Sequence, residues 1–371
     1  MTDQPLIRSL AALRCPITRQ PLSLLSSEEL DEANQTTGPH MRRHLRGEDL
    51  EAPITLAMGT PDREFVYRIE DGIAWLLPEL ATVRATNAIR IVLSSEKQSV
   101  QTFYEEFGWI KGESGLFNDT STFTDVRPNA RFYQQTCNTR IARRLTGGRF
   151  LLDVASGAIP HPEYLRFSDN FDVRVCVDFS IRALREARAQ LGDKGIYLLG
   201  DITQLPLVDG AMDAVISLHT IYHLPKEEQA LAIDEVARVT APGGRALIVY
   251  TWDRSLAMSA AFGLRGFFGR LRRLGRAPNA RQTRAPDKNG PPPLYFQPQG
   301  YDWFRREVAG RHSARLRVWS AASNSFQSRF LSEGRLGRGL ANLLLLFEEC
   351  FPWLAGRFGM YPMFIIEARR R

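Results

Sequence analysis

The stretch Leu151-Leu152-Asp153-Val154-Ala155-Ser156-Gly157 constrains the fold of this chain more than any other segment. A short apolar run that closes on small residues reads as a buried strand entering a tight turn. With no bulky Cβ in the way, such a turn lets the backbone approach a ligand closely. Gly157 lies 21 residues before Asp178, and Asp178 ends a second apolar run, Val173-Arg174-Val175-Cys176-Val177. In a doubly wound α/β sheet an acid about 20 positions beyond the turn is placed to grip a ribose diol. Gly200-Asp201 follows a third run, Ile196-Tyr197-Leu198-Leu199. Asp153, Asp178 and Asp201 therefore fall at the carboxyl ends of three successive strands, where open α/β sheets bind ligands.

This pattern resembles the class I S-adenosylmethionine-dependent methyltransferases of the large family that includes the ubiquinone-type methylases. The resemblance is strong over residues 141–252 and extends weakly to the C-terminus. It implies a seven-stranded, doubly wound sheet with one antiparallel strand. It also implies roles by position. Asp153, Ala155, Ser156 and Gly157 would form the turn beside the amino acid part of the cofactor. Asp178 would hold the ribose hydroxyls with Phe179 against the adenine, and Asp201 would face the adenine amine with Ile202 packed on the ring. Ala214 to His219 would be the fourth strand, and Pro242-Gly243-Gly244 the turn before the fifth, Ala246 to Tyr250. The usual Gly-x-Gly-x-Gly reads Ala155, Gly157 and Ile159 here. Alanine is a small replacement and costs little at such a place if its φ is negative. A dehydrogenase is the competing reading, but its full Gly-x-Gly-x-x-Gly is absent.

The chain of 371 residues has room for more than one domain, and its 44% hydrophobic content suits a globular protein. The start Met1-Thr2-Asp3-Gln4-Pro5 has no signal-peptide pattern, and Leu343 to Phe347 is too short to span a bilayer. Cys15, Cys137, Cys176 and Cys350 form no Cys-x-x-Cys pair, so a reducing cytoplasm is the expected setting. Residues 1–80 read as a first unit. Leu13 to Leu22 and Asp71 to Pro78 resemble the small zinc-ribbon-like adaptor that activates several RNA and protein methyltransferases. Thr18 stands where its metal-binding forms carry a second cysteine, so no four-thiolate zinc site is expected, and no metal elsewhere.

Residues 81–148 read as a helical linker and cofactor cap. Val100, Phe103, Tyr104 and Phe107 recur at helical spacing over Val100 to Trp109, and a second helix is expected near Phe132 to Leu145. Tyr104 and Trp109 are candidates for contact with the sulfonium or the acceptor, where an aromatic face attracts a cation. Residues 149–371 form the methyltransferase domain, with inserts at 255–300 and 324–358. Crossover helices are marked by Ile181 to Leu191 and by Ala230 to Ala237. Arg315 to Ala321 and Met360 to Ala368 read as late strands.

Methyl transfer from a sulfonium is an in-line displacement in which alignment supplies much of the rate. A phenol, alcohol or amine acceptor must also lose a proton, and a placed base contributes roughly 10²–10⁴-fold. His219 closes the fourth strand and is the candidate base and a candidate cofactor contact. If the chain turns helical there, His219, Tyr222 and His223 share a face; the plainer role for His223 is structural hydrogen bonding. Between Arg265 and Lys288 six further arginines stand against Asp287 alone. That insert reads either as a solvated loop or as a patch for an anionic acceptor, carrier protein or RNA. Tyr295, Phe296 and Trp303 read as a lid over an apolar acceptor, or as core. The expected function is methyl transfer from S-adenosylmethionine to a small organic acceptor, with oxygen, nitrogen, sulfur and carbon all open. The alternatives are an RNA or protein methyltransferase with its activator in cis, and a noncatalytic cofactor-binding scaffold.

Overall fold

A computed structural model describes Leu6 and residues 9–35, 41–50, 53–84, 89–255, 257–259 and 292–368. The basic run from Arg265 to Lys288 lies outside the described residues.

The first unit carries six short strands, β1 (Ser23–Leu24), β2 (Arg42–His44), β3 (Ala57–Gly59), β4 (Val66–Glu70), β5 (Ile73–Trp75) and β6 (Thr82–Arg84). β1, β3, β4 and β5 form an antiparallel meander. Asp71 and Gly72 make the hairpin between β4 and β5 with φ of 52° and 73°, the backbone signature of a type I′ turn. Because β6 pairs with β2 and β4, this unit runs to Arg84, past the boundary expected at residue 80. Buried Val83 on β6 accounts for the extension: the strand closes the unit's core. Cys15 is buried with Sγ 3.1 Å from the Tyr67 hydroxyl, and it accepts the Thr18 N–H at 3.4 Å. Among the described residues no three His, Cys, Asp or Glu side chains are grouped to hold a metal.

The main sheet adds β7 (Gly148–Val154), β8 (Phe171–Asp178), β9 (Gly195–Leu199), β10 (Met212–Leu218), β11 (Thr240–Val249), β12 (Ala314–Ser320) and β13 (Tyr361–Glu367). Its order is β9-β8-β7-β10-β11-β13-β12, and only β13 runs against its neighbours. This is the seven-stranded doubly wound sheet. Alternation along the strands covers both faces. Leu152, Val215 and Ile248 pack with Ile233 and Val236 on one side. Leu151, Ile216 and Leu247 pack with Tyr133, Ile141 and Leu345 on the other. The helix Ile181–Leu191 is capped by Ser180, whose hydroxyl accepts the Ala183 N–H, and stops at Gly192 with φ 54°. Pro242-Gly243-Gly244 is absorbed into β11 as a register irregularity against β10, with Gly243 at φ 84°.

The two units share one sheet. β5 pairs in parallel with β9, Ile73 opposite Tyr197 and Trp75 opposite Leu199, and Leu76 N–H donates to the Leu199 carbonyl at 2.7 Å. The edge that a parallel sheet would otherwise expose is thereby covered.

In the cap, a helix spans Ser95–Phe103 and continues as a wide turn, Tyr104–Gly108. It starts five residues before the expected Val100 because Ser94 caps it through the Lys97 N–H and its first turn is polar, carrying no hydrophobic period. The next long helix, Pro128–Ala142, begins earlier than the expected Phe132, with Pro128 at its first position. The late insert is three helices, Asn324–Phe330, Arg335–Cys350 and Pro352–Phe358, joining β12 to β13.

Candidate cofactor and acceptor site

All three places of the variant turn adopt left-handed backbone: Ala155 at φ 54°, Gly157 at 56° and Ile159 at 53°. Ala155 therefore does not meet the condition, a negative φ, under which alanine costs little. Its N–H donates to the Val177 carbonyl at 2.7 Å, and Ser156 N–H reaches the same oxygen at 3.3 Å, so the end of β8 holds the turn in this shape. For an L-residue that shape costs roughly 1–2 kcal/mol, the kind of strain that surrounding packing must hold in place. A Cβ on Gly157 would stand 2.6 Å from Trp109 Cζ2, so glycine is required there for space as well as for φ.

The cap folds onto this turn. Trp109 and Tyr104 are stacked with centroids 5.3 Å apart, and Phe117 meets Trp109 edge-on at 5.7 Å. Phe103 is fully buried and belongs to the packing of the cap itself. Tyr104 also meets His223 edge-on at 6.4 Å, which ties the cap to the far side of the site.

Asp178 ends β8 with its carboxylate buried. Gly157 N–H donates to Oδ2 at 2.8 Å and Ser180 N–H to Oδ1 at 2.9 Å. Burial, with the Asp153 and Glu105 charges adding to it, pushes its pKa up to about 7 against the two bonds that favour the anion. Each carboxylate oxygen keeps lone-pair capacity for a further donor. Phe179 is part-buried, packs on the cluster around Leu184 and Leu199, and its carbonyl accepts Gln101 Nε2–H at 3.4 Å from the cap.

Asp201 is buried, and its Oδ1 accepts both the N–H and the hydroxyl of Thr203 at 2.8 and 2.7 Å. Its Oδ2 lies 2.7 Å from Lys97 Nζ, which also stands 2.6 Å from Glu228 Oε2. The residue expected to face an amine thus already holds an ammonium. Ile202 is buried in the core beside it. Asp153, expected in the cofactor turn, is buried and ion-paired. Its Oδ2 pairs with the Arg174 guanidinium, and Arg174 in turn donates to the Tyr164 carbonyl at 2.7 Å.

His219 takes a left-handed φ of 62° and is boxed edge-on by Trp319 at 4.5 Å and Tyr361 at 5.3 Å. Burial and the neighbouring His161 and His223 drive its pKa down to about 3, which leaves a neutral ring and a weak proton acceptor. The shared helical face expected for His219, Tyr222 and His223 does not form, because only Ile221–His223 make a single tight turn. In that turn Nδ1–H of His223 donates to the Tyr295 carbonyl at 2.7 Å, the structural role. Tyr222 is buried, edge-on to Tyr250 and to Phe296 at 5.6 and 5.2 Å. Burial raises its phenol well above the ordinary value.

Tyr295 and Phe296 lie across this turn, with Gln297 N–H donating to the Tyr222 carbonyl at 2.9 Å; Phe296 stays exposed. Trp303, expected in the lid, is instead a core residue, stacked on Tyr250 at 5.5 Å. Sequence reading missed four contributors. Lys97 carried no signal beyond its place on a helix. Trp319 and Tyr361 lie 100 and more residues from His219 in the chain. Asp119 sits on the helix Asn118–Phe123, and burial pushes its pKa up to about 7. Its charge adds to burial in raising the Tyr104, Tyr164 and Tyr222 phenols.

S-adenosylmethionine fits this frame at Asp178, where ribose hydroxyls would supply the donors that a buried, half-satisfied carboxylate lacks. At Asp201 an adenine amine would act on the oxygen that Lys97 now occupies, the same donor chemistry.

Residues 152–248 match a family model described as a methyltransferase domain. Among curated proteins, demethylmenaquinone methyltransferase of Mycobacterium tuberculosis is 36% identical over 110 residues, 30% of this chain and 44% of that protein. The "Probable tocopherol O-methyltransferase, chloroplastic" of Oryza sativa subsp. japonica is 41% identical over 73 residues, 20% of each chain. The chain thus spans less than half the length of these relatives. Among solved structures, Haemonchus contortus phosphoethanolamine N-methyltransferase 2 in complex with S-adenosyl-L-methionine covers 78% of this chain and 63% of its own, at 12% identity and a TM-score of 0.39.

Proposed function

We infer that this chain, whose residues 152–248 match the methyltransferase-domain model, transfers the methyl group of S-adenosylmethionine to a small organic acceptor. The observation that carries the reading is the buried Asp178 carboxylate at the tip of β8, bonded to Gly157 N–H and facing the strained turn. Tyr104 and Tyr222 both meet the His223 ring, and His219 is boxed by Trp319 and Tyr361, ring surfaces suited to an aromatic or otherwise apolar acceptor. Likeness to quinone- and tocopherol-named methyltransferases supports the same class. For an acceptor that must lose a proton, Asp119 is better matched to neutral pH than His219. Tyr104 and Trp109 serve as the closing face over the cofactor.

The test is methyl transfer from labelled S-adenosylmethionine to a panel of lipophilic phenols and quinols, beside calorimetric binding of the cofactor. Turnover on this panel supports the reading. Cofactor binding without turnover on any acceptor class selects the noncatalytic scaffold instead. A second reading, an RNA or protein methyltransferase with its activator in cis, is favoured by one observation: β5 of the first unit is built into the catalytic sheet against β9. Turnover on RNA that falls steeply with salt would select it.

A further inference from the structure

The helix Arg335–Cys350 is turned inside out. Its buried side is Gly337, Ala341, Leu345 and Glu348, while its largest apolar side chains face outward. Leu336 is 90% exposed, Leu343 62%, Leu346 61% and Phe347 40%, and the next turn adds Phe351 at 55% and Trp353 at 47%. At 100° per residue the four helical positions fall within one broad arc, wider than the seam a single partner helix needs. Single exposed leucines need no explanation, but a contiguous patch of this kind marks an interaction surface.

The exposed charges at the start of the helix are mainly basic, Arg335 and Arg338 against Glu333. Both acids of this helix are paired: buried Glu348 and half-exposed Glu349 each receive a bond from Arg140, at 2.9 Å in both cases. Arg335 and Arg338 stay exposed and border the apolar arc, with Arg338 lying over the Phe132 ring at 3.2 Å. An apolar face with a tryptophan at its margin and a cationic rim is the composition of a helix lying in the plane of a bilayer interface.

We propose that the helical hairpin from Arg335 to Phe358 docks this protein on the surface of an anionic lipid bilayer. The face is firmly mounted for that task. Gly356 lies so close to β12 that a Cβ would meet the Arg317 carbonyl at 2.4 Å. The hairpin joins β12 to β13, whose Trp319 and Tyr361 frame His219, so the docking face is continuous with the strands that hold that ring. This inference stands on the exposed face and not on the identity of the acceptor.

Flotation of the full chain with vesicles of phosphatidylcholine containing phosphatidylglycerol, against pure phosphatidylcholine, tests it. Binding to the anionic vesicles is expected at least about tenfold above the neutral ones. It should weaken about fivefold for each arginine reversed in Arg335→Glu and Arg338→Glu. The double variant Leu343→Glu/Leu346→Glu, at positions already in water, should retain its circular dichroism and cofactor affinity and lose flotation. No flotation with either vesicle, or flotation indifferent to these variants, would overturn the proposal. So would a solution dimer that the leucine variant dissociates, because that makes the face an interface between copies.

Discussion

Replacing Asp178 with asparagine keeps the side chain's volume and removes its charge at the point where two backbone donors converge. In the protein Gly157 N–H and Ser180 N–H each donate to one carboxylate oxygen, at 2.8 and 2.9 Å. An amide offers one oxygen and turns an NH₂ towards the other donor, so one of those bonds becomes a clash of donors. Cofactor hydroxyls lose charge-assisted bonds worth about 1.5–3 kcal/mol each, of which a neutral amide oxygen recovers part. We expect a net loss of about 2–3 kcal/mol, a dissociation constant raised roughly 30- to 150-fold. A pH signature accompanies it. Burial first, then the Asp153 and Glu105 charges, hold the folded pKa at about 7, above the ordinary carboxyl value. The folded protein without cofactor therefore keeps a proton that the unfolded chain releases above about pH 4. Its stability is full below that point and falls as pH rises towards 7. Ribose donors favour the anion, so wild-type affinity should strengthen with pH up to about 7 and then level, while Asp178→Asn shows no such rise. Titration calorimetry with S-adenosylmethionine from pH 5 to 8 measures both. A variant constant within about threefold of wild type, or a wild-type constant flat with pH, would refute the argument.

Three further outcomes are expected. Lys97→Met leaves Asp201 and Glu228 facing each other without their shared cation, a loss of about 3 kcal/mol in urea unfolding at pH 7.5, whereas Lys97→Arg should keep most of that stability. Gly157→Ala combines a left-handed backbone with a Cβ 2.6 Å from the Trp109 ring, so a lower melting temperature and cap cleavage at lower protease levels should appear together. In the pH–rate profile, Asp119→Asn should remove the limb near pH 7, whereas His219→Gln should lower the rate without moving that limb; the reverse result would return the base to His219.

Much of the sheet was legible in the chain because buried parallel strands are short apolar runs bounded by turn residues. Val173 to Asp178 and Ile196 to Leu199 have that form, and each lies where its strand is found. The late strands and both crossover helices also fell within a few residues of expectation. The cap was legible in its aromatic content but not in its start, since a helix begun by Ser94 and polar residues leaves no hydrophobic period. Burial assignments failed where type and environment diverge. Trp303 has the composition of a lid and the position of a core residue. Asp153 has the position of a ligand and the partner of a structural acid.

By itself the sequence determined the strand–turn–acid frame, because the spacing of small and acidic residues along the chain is already the spacing along successive strand tips. Only the tertiary structure decided what each acid faces. Lys97 reaches Asp201 from 104 residues away, Trp319 reaches His219 from a strand 100 residues on, and β5 joins β9 across the first unit. Such meetings depend on which surfaces pack together, and burial at the tip of β8 is what pushes the Asp178 carboxyl up to about 7.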